Sequence, residues 1–154
     1  MMDNIQLKSS LSAWFQEIAK EYENPFFGTL TFPYKKISKE RASRQLEILK
    51  NKISKAIFNN AFKRYGKSVN WVLSIEGEDY NRHVHLAVDL PYANKLDKIF
   101  YPAIDGKYRL KPKLWKHGIS LFEQYNHEKS GADYITKLKT KTGNYIDNFP
   151  FELM

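Results

Sequence analysis

Cysteine is absent from this sequence, and long apolar runs are absent as well. Without thiols the chain can form neither disulfides nor zinc–thiolate sites, and it has no thiol nucleophile. No run of about 18 apolar residues occurs, so a membrane-spanning helix is not expected. Asp3, Lys8 and Glu17 interrupt the first apolar positions, unlike a secretory signal. These absences predict a soluble protein of the reducing cytoplasm.

The apolar share of 42% and the aromatic share of 15% are enough for a buried core in a chain of 154 residues. No internal repeat, low-complexity tract or linker interrupts the sequence, which predicts a single domain over residues 1–154. The formal net charge of +8 attracts polyanions such as nucleic acids. Charge alone does not separate nucleic-acid-binding proteins from other basic proteins.

Hydrophobic periodicity divides the chain into helices and strands. Helical spacing predicts an amphipathic helix over residues 7–22 and a long helix from the N-cap Ser38 to the stop Gly66. Strands are predicted over residues 26–32, 69–78, 83–90 and 118–125. Residues 92–110 are expected to hold a short helix and a loop, and residues 129–141 a helix. This order predicts an α+β fold, a central antiparallel sheet with flanking helices packed mainly on one face.

Two histidines, His83 and His85, alternate with Val84 on one predicted strand. Side chains at i and i+2 of a strand share a face, so both imidazoles can converge on one ion. The simpler interpretation is two unrelated histidines on a solvated sheet face. Metal binding is favoured because two of the four histidines in the chain occur here, on a strand whose alternate residues are apolar.

Glu76 can supply a third ligand, because a hairpin would bring it back beside His83, seven residues later. Glu78 and Asp79 are close enough to be alternatives, although an exposed acidic turn is their simpler interpretation. Two imidazoles and a carboxylate, without any thiolate, favour Mg²⁺ or Mn²⁺ over a structural zinc ion.

Tyr134, Lys137 and Lys141 are spaced at i, i+3 and i+7, so a helix would place them on one stripe. Neighbouring ammonium groups favour the phenolate form of a tyrosine. The phenolate oxygen can attack phosphorus, while the lysines neutralise charge on the transferring phosphoryl group. The alternative is a basic amphipathic helix on which the tyrosine only packs.

Taken in order, these motifs resemble those of the HUH endonucleases, the nuclease domains of rolling-circle replication initiators, relaxases and small transposases. Three segments carry the resemblance: FFGTLTF over residues 26–32, RHVHL over residues 82–86, and YITK over residues 134–137 followed by Lys141. The interval from Glu76 to His83 is similar to that of parvoviral-type initiators. The resemblance covers residues 26–141, most of the chain, and implies an RRM-like HUH nuclease fold.

The resemblance also implies an activity. A divalent ion, Mg²⁺ or Mn²⁺, would be held by Glu76, His83 and His85, and Tyr134 would attack a phosphodiester of single-stranded DNA. The products would be a 5′-phosphotyrosine and a free 3′-hydroxyl, with Lys137 and Lys141 neutralising charge. The expected partner is single-stranded DNA or a hairpin origin, in the cytoplasm of a prokaryotic host or the nucleus of a virus-infected one.

The chain departs from the family pattern in two places. Some phage-type initiators have a second tyrosine four residues after the first, where this chain has Leu138, so a single-tyrosine mechanism is expected. Tyr125 and Tyr145 are possible substitutes for Tyr134, although neither has the lysine arrangement. No Gly-rich phosphate loop occurs, so no nucleotide cofactor is expected. The chain is expected to be a minimal initiator or one domain of a larger protein.

Basic residues with interleaved aromatic ones predict a surface for an unpaired strand, because bases stack on rings while lysines follow the phosphates. The candidate contacts are Lys35, Lys36, Arg82, Lys111, Lys113, Trp115 and Lys139. For each residue taken singly, an ordinary solvated side chain is the simpler interpretation.

Two other functions stay open on the sequence. Insertion-sequence transposases with a single tyrosine have a similar His-x-His strand, but usually a glutamine at the position of Leu138. A noncatalytic single-stranded nucleic-acid-binding module with an RNA-recognition-like sheet would account for the charge and the aromatics. It would leave the His-x-His strand, Glu76 and Tyr134 without an explanation.

Overall fold

The computed structural model of the chain describes residues 13–32 and 36–125, within which six strands form one sheet. The strands are β1 (Pro25–Thr31), β2 (Trp71–Glu76), β3 (His83–Asp89), β4 (Phe100–Pro102), β5 (Tyr108–Leu110) and β6 (Ser120–Gln124). Every pair is antiparallel, and the spatial order is β2-β3-β1-β6-β5-β4. The predicted α+β class with a central antiparallel sheet is confirmed.

In the described ranges, three α-helices accompany the sheet: α1 (residues 13–19), α2 (Lys39–Phe58) and α3 (Asn60–Tyr65). Two short 3-10 helices, Ala93–Lys98 and Ile104–Gly106, lie between β3 and β5. Of the helices in the described ranges, none is long and apolar enough to cross a membrane.

Helix α2 begins where the sequence predicts, because the Ser38 hydroxyl accepts a hydrogen bond from the Arg41 backbone N–H at 3.2 Å. The predicted single helix from Ser38 to Gly66 is nevertheless interrupted. Asn59 adopts a φ of 45°, a region that asparagine tolerates better than most residues, and α3 follows it. Gly66, with a φ of 67°, ends α3 in the left-handed conformation, as predicted.

The apolar stripe of α2 covers one face of the sheet. Its buried residues recur at helical spacing and include Leu46, Leu49 and Ile53. They join a core cluster with the alternate residues of β2 and β3, among them Leu73 and Leu86. Burial of these side chains is the main stabilising term, at roughly 25 cal/mol for each Å² of apolar surface removed from water.

Helix α1 lies on the opposite face, where Phe15 and Ala19 pack against Phe27 of β1 and Ala87 of β3. The sequence predicts helices mainly on one face of the sheet, whereas α2 packs on one face and α1 on the other. The aromatic contact of Phe27 with Tyr125, which follows β6, extends this second cluster. This second cluster lies at the end of the sheet face where Ala87 is located, four positions along β3 from His83.

Two strands escape sequence prediction. Residues 92–110 contain the expected short helix, but they also form β4 and β5, each only three residues long. Segments of this length are too short to show alternation of apolar and polar residues. The predicted strands at residues 69–78 and 118–125 are in the right places. The first is two residues too long at each end, and the second is two too long at its start and one at its end.

Gly28 gives a test of the packing between β1 and β6. A Cβ at this position would lie 2.7 Å from Cζ of Phe122 and closer still to two other ring carbons. Because the Phe122 ring is fully buried, Gly28→Ala is expected to destabilise the protein by about 1–3 kcal/mol, measured by urea unfolding. Combination with Phe122→Leu should recover part of the loss. Equal stability of Gly28→Ala and the parent would contradict this packing.

Candidate metal centre

The hairpin of β2 and β3 brings the three predicted ligands together. In the register of this pair, Glu76 lies opposite His83, and Ser74 lies opposite His85. Oε2 of Glu76 is 3.0 Å from Nε2 of His85 and 3.5 Å from Nε2 of His83. One ligand atom from each of Glu76, His83 and His85 lies within 4.8 Å of the other two. The three side chains can therefore hold one metal ion.

The three side chains are buried, and Glu76 is only 2% exposed. They lie on the sheet face opposite to α2, the face on which α1 packs at Phe27 and Ala87. Thr31 and Thr29 of β1 lie opposite His83 and His85 in the neighbouring strand pair. The site is thus formed by regular strands, whose backbone positions are fixed by hydrogen bonds on both sides of β3.

Each histidine is oriented through its second ring nitrogen. Nδ1 of His83 is 3.0 Å from the backbone oxygen of Asn81. Because a carbonyl oxygen can only accept, this nitrogen donates, and the ring is held with Nε2 toward Glu76. Nδ1 of His85 is 3.3 Å from Oγ1 of Thr29. Partners of this kind fix ring orientation and tautomer in metal sites.

The charge of Glu76 depends on the two imidazoles. Burial raises the pKa of this carboxyl, but the close approach of His83 and then His85 outweighs burial and lowers the pKa from 4.5 to about 2. The group is therefore an anion at neutral pH, although its side chain is almost completely buried.

The hydrogen bonds that such an anion needs are incomplete. Within residues 13–32 and 36–125, neither carboxylate oxygen of Glu76 makes a well-aligned hydrogen bond, and neither does Nε2 of His85 or the hydroxyl of Ser74. A buried carboxylate without aligned donors is costly unless a cation compensates it. Three ligand atoms that converge within metal-binding distance, around a carboxylate without aligned donors, fit a divalent ion in this position.

Arg82 has a structural position that the sequence did not predict. The sequence indicated a nucleic-acid contact, but the side chain is only 8% exposed. Its guanidinium donates to the backbone oxygens of Gly77 at 2.8 Å and Ile37 at 3.4 Å, and pairs with the Asp79 carboxylate. Arg82 therefore closes the turn between the two ligand strands. Asp79, considered as an alternative ligand, is engaged in this turn.

The other predicted nucleic-acid contacts are divided between surface and core. Lys36 and Lys113 are exposed, and Lys111 is half-buried. Trp115 is only 4% exposed and packs edge-on against Phe32, with ring centroids 5.2 Å apart. Its ring is part of the core, so in this conformation it offers no open face to a base.

The remaining predicted site residues lie outside the described part of the chain: Lys35, Tyr134, Lys137, Lys139 and Lys141. Their assignments stay predictions. Among described residues, sequence reasoning missed the roles of Asn81 and Arg82 in the turn. Asn81 acts on His83 through its backbone oxygen, which leaves no signal in the side-chain sequence. Thr29 belongs to the segment FFGTLTF that carries the resemblance, and its hydroxyl lies beside Nδ1 of His85.

Metal binding is expected to stabilise the folded protein. Mn²⁺ at 100 times its dissociation constant should add about 2.7 kcal/mol, because the unfolded chain does not assemble the ligands. For a chain of this size, the melting temperature should rise by roughly 5–10 °C in a thermal scan. Glu76→Gln keeps the shape of the side chain and removes its charge, so it should abolish most of the rise. An equal rise in parent and variant would contradict the assignment of Glu76.

Thr29 tests the orientation of His85. Thr29→Val removes the hydroxyl beside Nδ1 and keeps the side-chain shape, so Mn²⁺ affinity in calorimetric titration should fall by about 10- to 100-fold. Thr31→Val is the matched control, because the Thr31 hydroxyl bonds to the backbone of Ile119 and not to a ligand. Equal losses in the two variants would show that the effect is not specific to His85.

Comparisons with known proteins do not add to this geometry. No protein-family model matches the chain, and no curated protein or solved structure matches it either. The chemistry of the site therefore rests on its own residues: a buried carboxylate and two imidazoles on paired strands.

Proposed function

We propose that the protein is a metal-dependent endonuclease of the HUH class, which cuts single-stranded DNA through a covalent phosphotyrosine at Tyr134. One observation carries the proposal: a buried Glu76–His83–His85 cluster on adjacent strands of an antiparallel sheet. A structural role does not require two imidazole nitrogens to converge on a buried carboxylate that lacks aligned hydrogen bonds. A metal-assisted reaction at a phosphodiester does use a cation at a defined place.

The donor set favours Mg²⁺ or Mn²⁺ as the ion. One carboxylate oxygen and two imidazole nitrogens form a mixed set, and the chain has no cysteine to favour zinc or copper. When bound, such an ion polarises a phosphodiester and stabilises the charge that develops during its cleavage. The protein contributes fixed ligands, since His83 and His85 are each held at the ring nitrogen that faces away from Glu76.

The chain length allows Tyr134 to reach the cluster. The backbone N–H of Tyr125 donates to Pro25 at 2.9 Å, and Thr29, four residues further along β1, lies opposite His85. Strand rise and spacing therefore place Tyr125 about 17 Å from His85. Nine residue-to-residue steps lead from Tyr125 to Tyr134 and can span up to roughly 30 Å.

The proposed cleavage step needs no reactant besides the protein and the DNA strand. The Tyr134 oxygen forms a bond to phosphorus and the bond from phosphorus to the 3′ oxygen breaks. The phenolic proton is transferred to that leaving 3′ oxygen, which becomes the 3′-hydroxyl. The 5′ end stays attached to Tyr134. Lys137 and Lys141 neutralise the charge on the phosphoryl oxygens. In the reverse step, the 3′-hydroxyl attacks the phosphotyrosine and rejoins the strand.

This chemistry suits the initiation of rolling-circle replication of a plasmid or virus, because the free 3′-hydroxyl can prime synthesis. The substrate is a single-stranded or hairpin origin, and the net charge of +8 favours its approach. A chain without cysteine also suits the reducing cytoplasm, where a prokaryotic replicon would meet it.

Covalent trapping tests the proposal. The protein would be mixed with a panel of fluorescein-labelled single-stranded and hairpin oligonucleotides, in Mn²⁺ or in EDTA, and run on denaturing gels. We expect a denaturation-resistant adduct in Mn²⁺ that is lost in EDTA, in Tyr134→Phe and in His83→Ala/His85→Ala. Tyr145→Phe is the matched control and should form the adduct.

The other outcomes separate the alternatives. Cleavage that survives in Tyr134→Phe would mean that another group is the nucleophile. Binding without any adduct or cleavage across the panel would instead support a noncatalytic nucleic-acid-binding module.

A further inference from the structure

The turn that joins the ligand strands carries an exposed aromatic ring. Residues 77–82 connect β2 to β3, and within them Tyr80 is 71% exposed. Tyr80 follows Glu76 by four residues and precedes His83 by three. Chain geometry therefore keeps its backbone within roughly 11–14 Å of both ligands.

The backbone beneath this ring is held in place. Gly77 has a φ of 84°, and a Cβ there would lie 2.8 Å from the side-chain oxygen of Asn81. That oxygen accepts the backbone N–H of Glu78. The Ile37 N–H donates to Asp79 at 2.9 Å, and the guanidinium described above binds the same turn. An exposed ring on a braced backbone loses little conformational freedom when a ligand contacts it.

A cation accompanies the ring. Lys36 is exposed, and its Nζ lies 5.9 Å from the centroid of Tyr80. A flat aromatic ring and an adjacent ammonium group match the two parts of a nucleotide, a base that stacks and a phosphate that needs a counter-charge. Other strongly exposed aromatic residues of the described chain lie elsewhere: Tyr65 at the end of α3, Tyr92 after β3 and Tyr101 in β4.

From this placement we infer that Tyr80 and Lys36 form a nucleotide subsite beside the metal centre, in which Tyr80 stacks on an unpaired base and Lys36 contacts a phosphate. The inference rests on the proposed function and adds one part of the substrate footprint. Its position on the turn between the ligands places the bound nucleotide close to the phosphodiester that is cut.

The test measures affinity for fluorescein-labelled oligo(dT) by anisotropy in EDTA, where cleavage does not contribute. Tyr80→Ala should weaken binding by roughly 5- to 100-fold, because stacking on an aromatic residue contributes that much per base. Tyr80→Trp should retain the affinity of the parent. Tyr65→Ala is the matched control, since Tyr65 is 81% exposed but lies on α3, and it should leave the affinity unchanged.

Two further measurements test the phosphate contact of Lys36 and the integrity of the metal centre in Tyr80→Ala. Lys36→Met should reduce the slope of log affinity against log salt by about 0.7, the value for one phosphate contact on a single strand. Mn²⁺ affinity of Tyr80→Ala should equal that of the parent, which separates loss of the subsite from damage to the metal centre.

Equal oligo(dT) affinities of Tyr80→Ala and the parent would overturn the subsite. The proposed function would survive that result if the parent still forms the Tyr134 adduct. If the parent binds none of the single-stranded oligonucleotides at low salt, both the subsite and the proposed function fail.

Discussion

A buried carboxylate between two imidazoles is the constraint on which the rest of this structure depends. Glu76 is ionised, since its pKa is about 2, and it is covered by protein on all but 2% of its surface. A charge in that position needs a cation or well-placed donors, and the cost without them is large. The register that sets Glu76 opposite His83, and the turn closed by Arg82, keep the ligand atoms together. The same turn displays Tyr80.

The fold could be predicted where periodicity is long. The apolar stripe of α2 and the alternate apolar residues of β3 predict the fold class and the face of each element that is buried in the core. The N-cap Ser38 predicts where α2 begins. Three kinds of detail were beyond reach. Strands of three residues are too short to show alternation of apolar and polar residues. Asn59 interrupts a continuous helical pattern through its positive φ angle. Helix α1 packs at Phe27 and Ala87, on the sheet face opposite to α2.

The sequence predicts the three ligands of the site but not the residues that hold the ligand strands and their turn in place. The spacing of Glu76, His83 and His85 is readable because hairpin pairing and strand alternation are simple geometric rules. The charge of Arg82 predicts a surface cation, whereas its side chain is buried. Its burial depends on three acceptors that come from the turn and from Ile37, 45 residues away, and only the folded chain brings them together. The prediction that Trp115 contacts nucleic acid fails for a similar reason, because its packing partner Phe32 is distant in sequence.

The most direct test of this account is a crystal structure of the protein grown with Mn²⁺, with anomalous scattering recorded at the manganese edge. We predict a peak about 2.0–2.4 Å from Oε2 of Glu76 and from Nε2 of both His83 and His85, with those three side chains in their present positions. A map in which manganese is absent from this cluster, with an imidazole instead donating a well-aligned hydrogen bond to Glu76, would contradict it. The cluster would then be a buried ion pair that stabilises the hairpin.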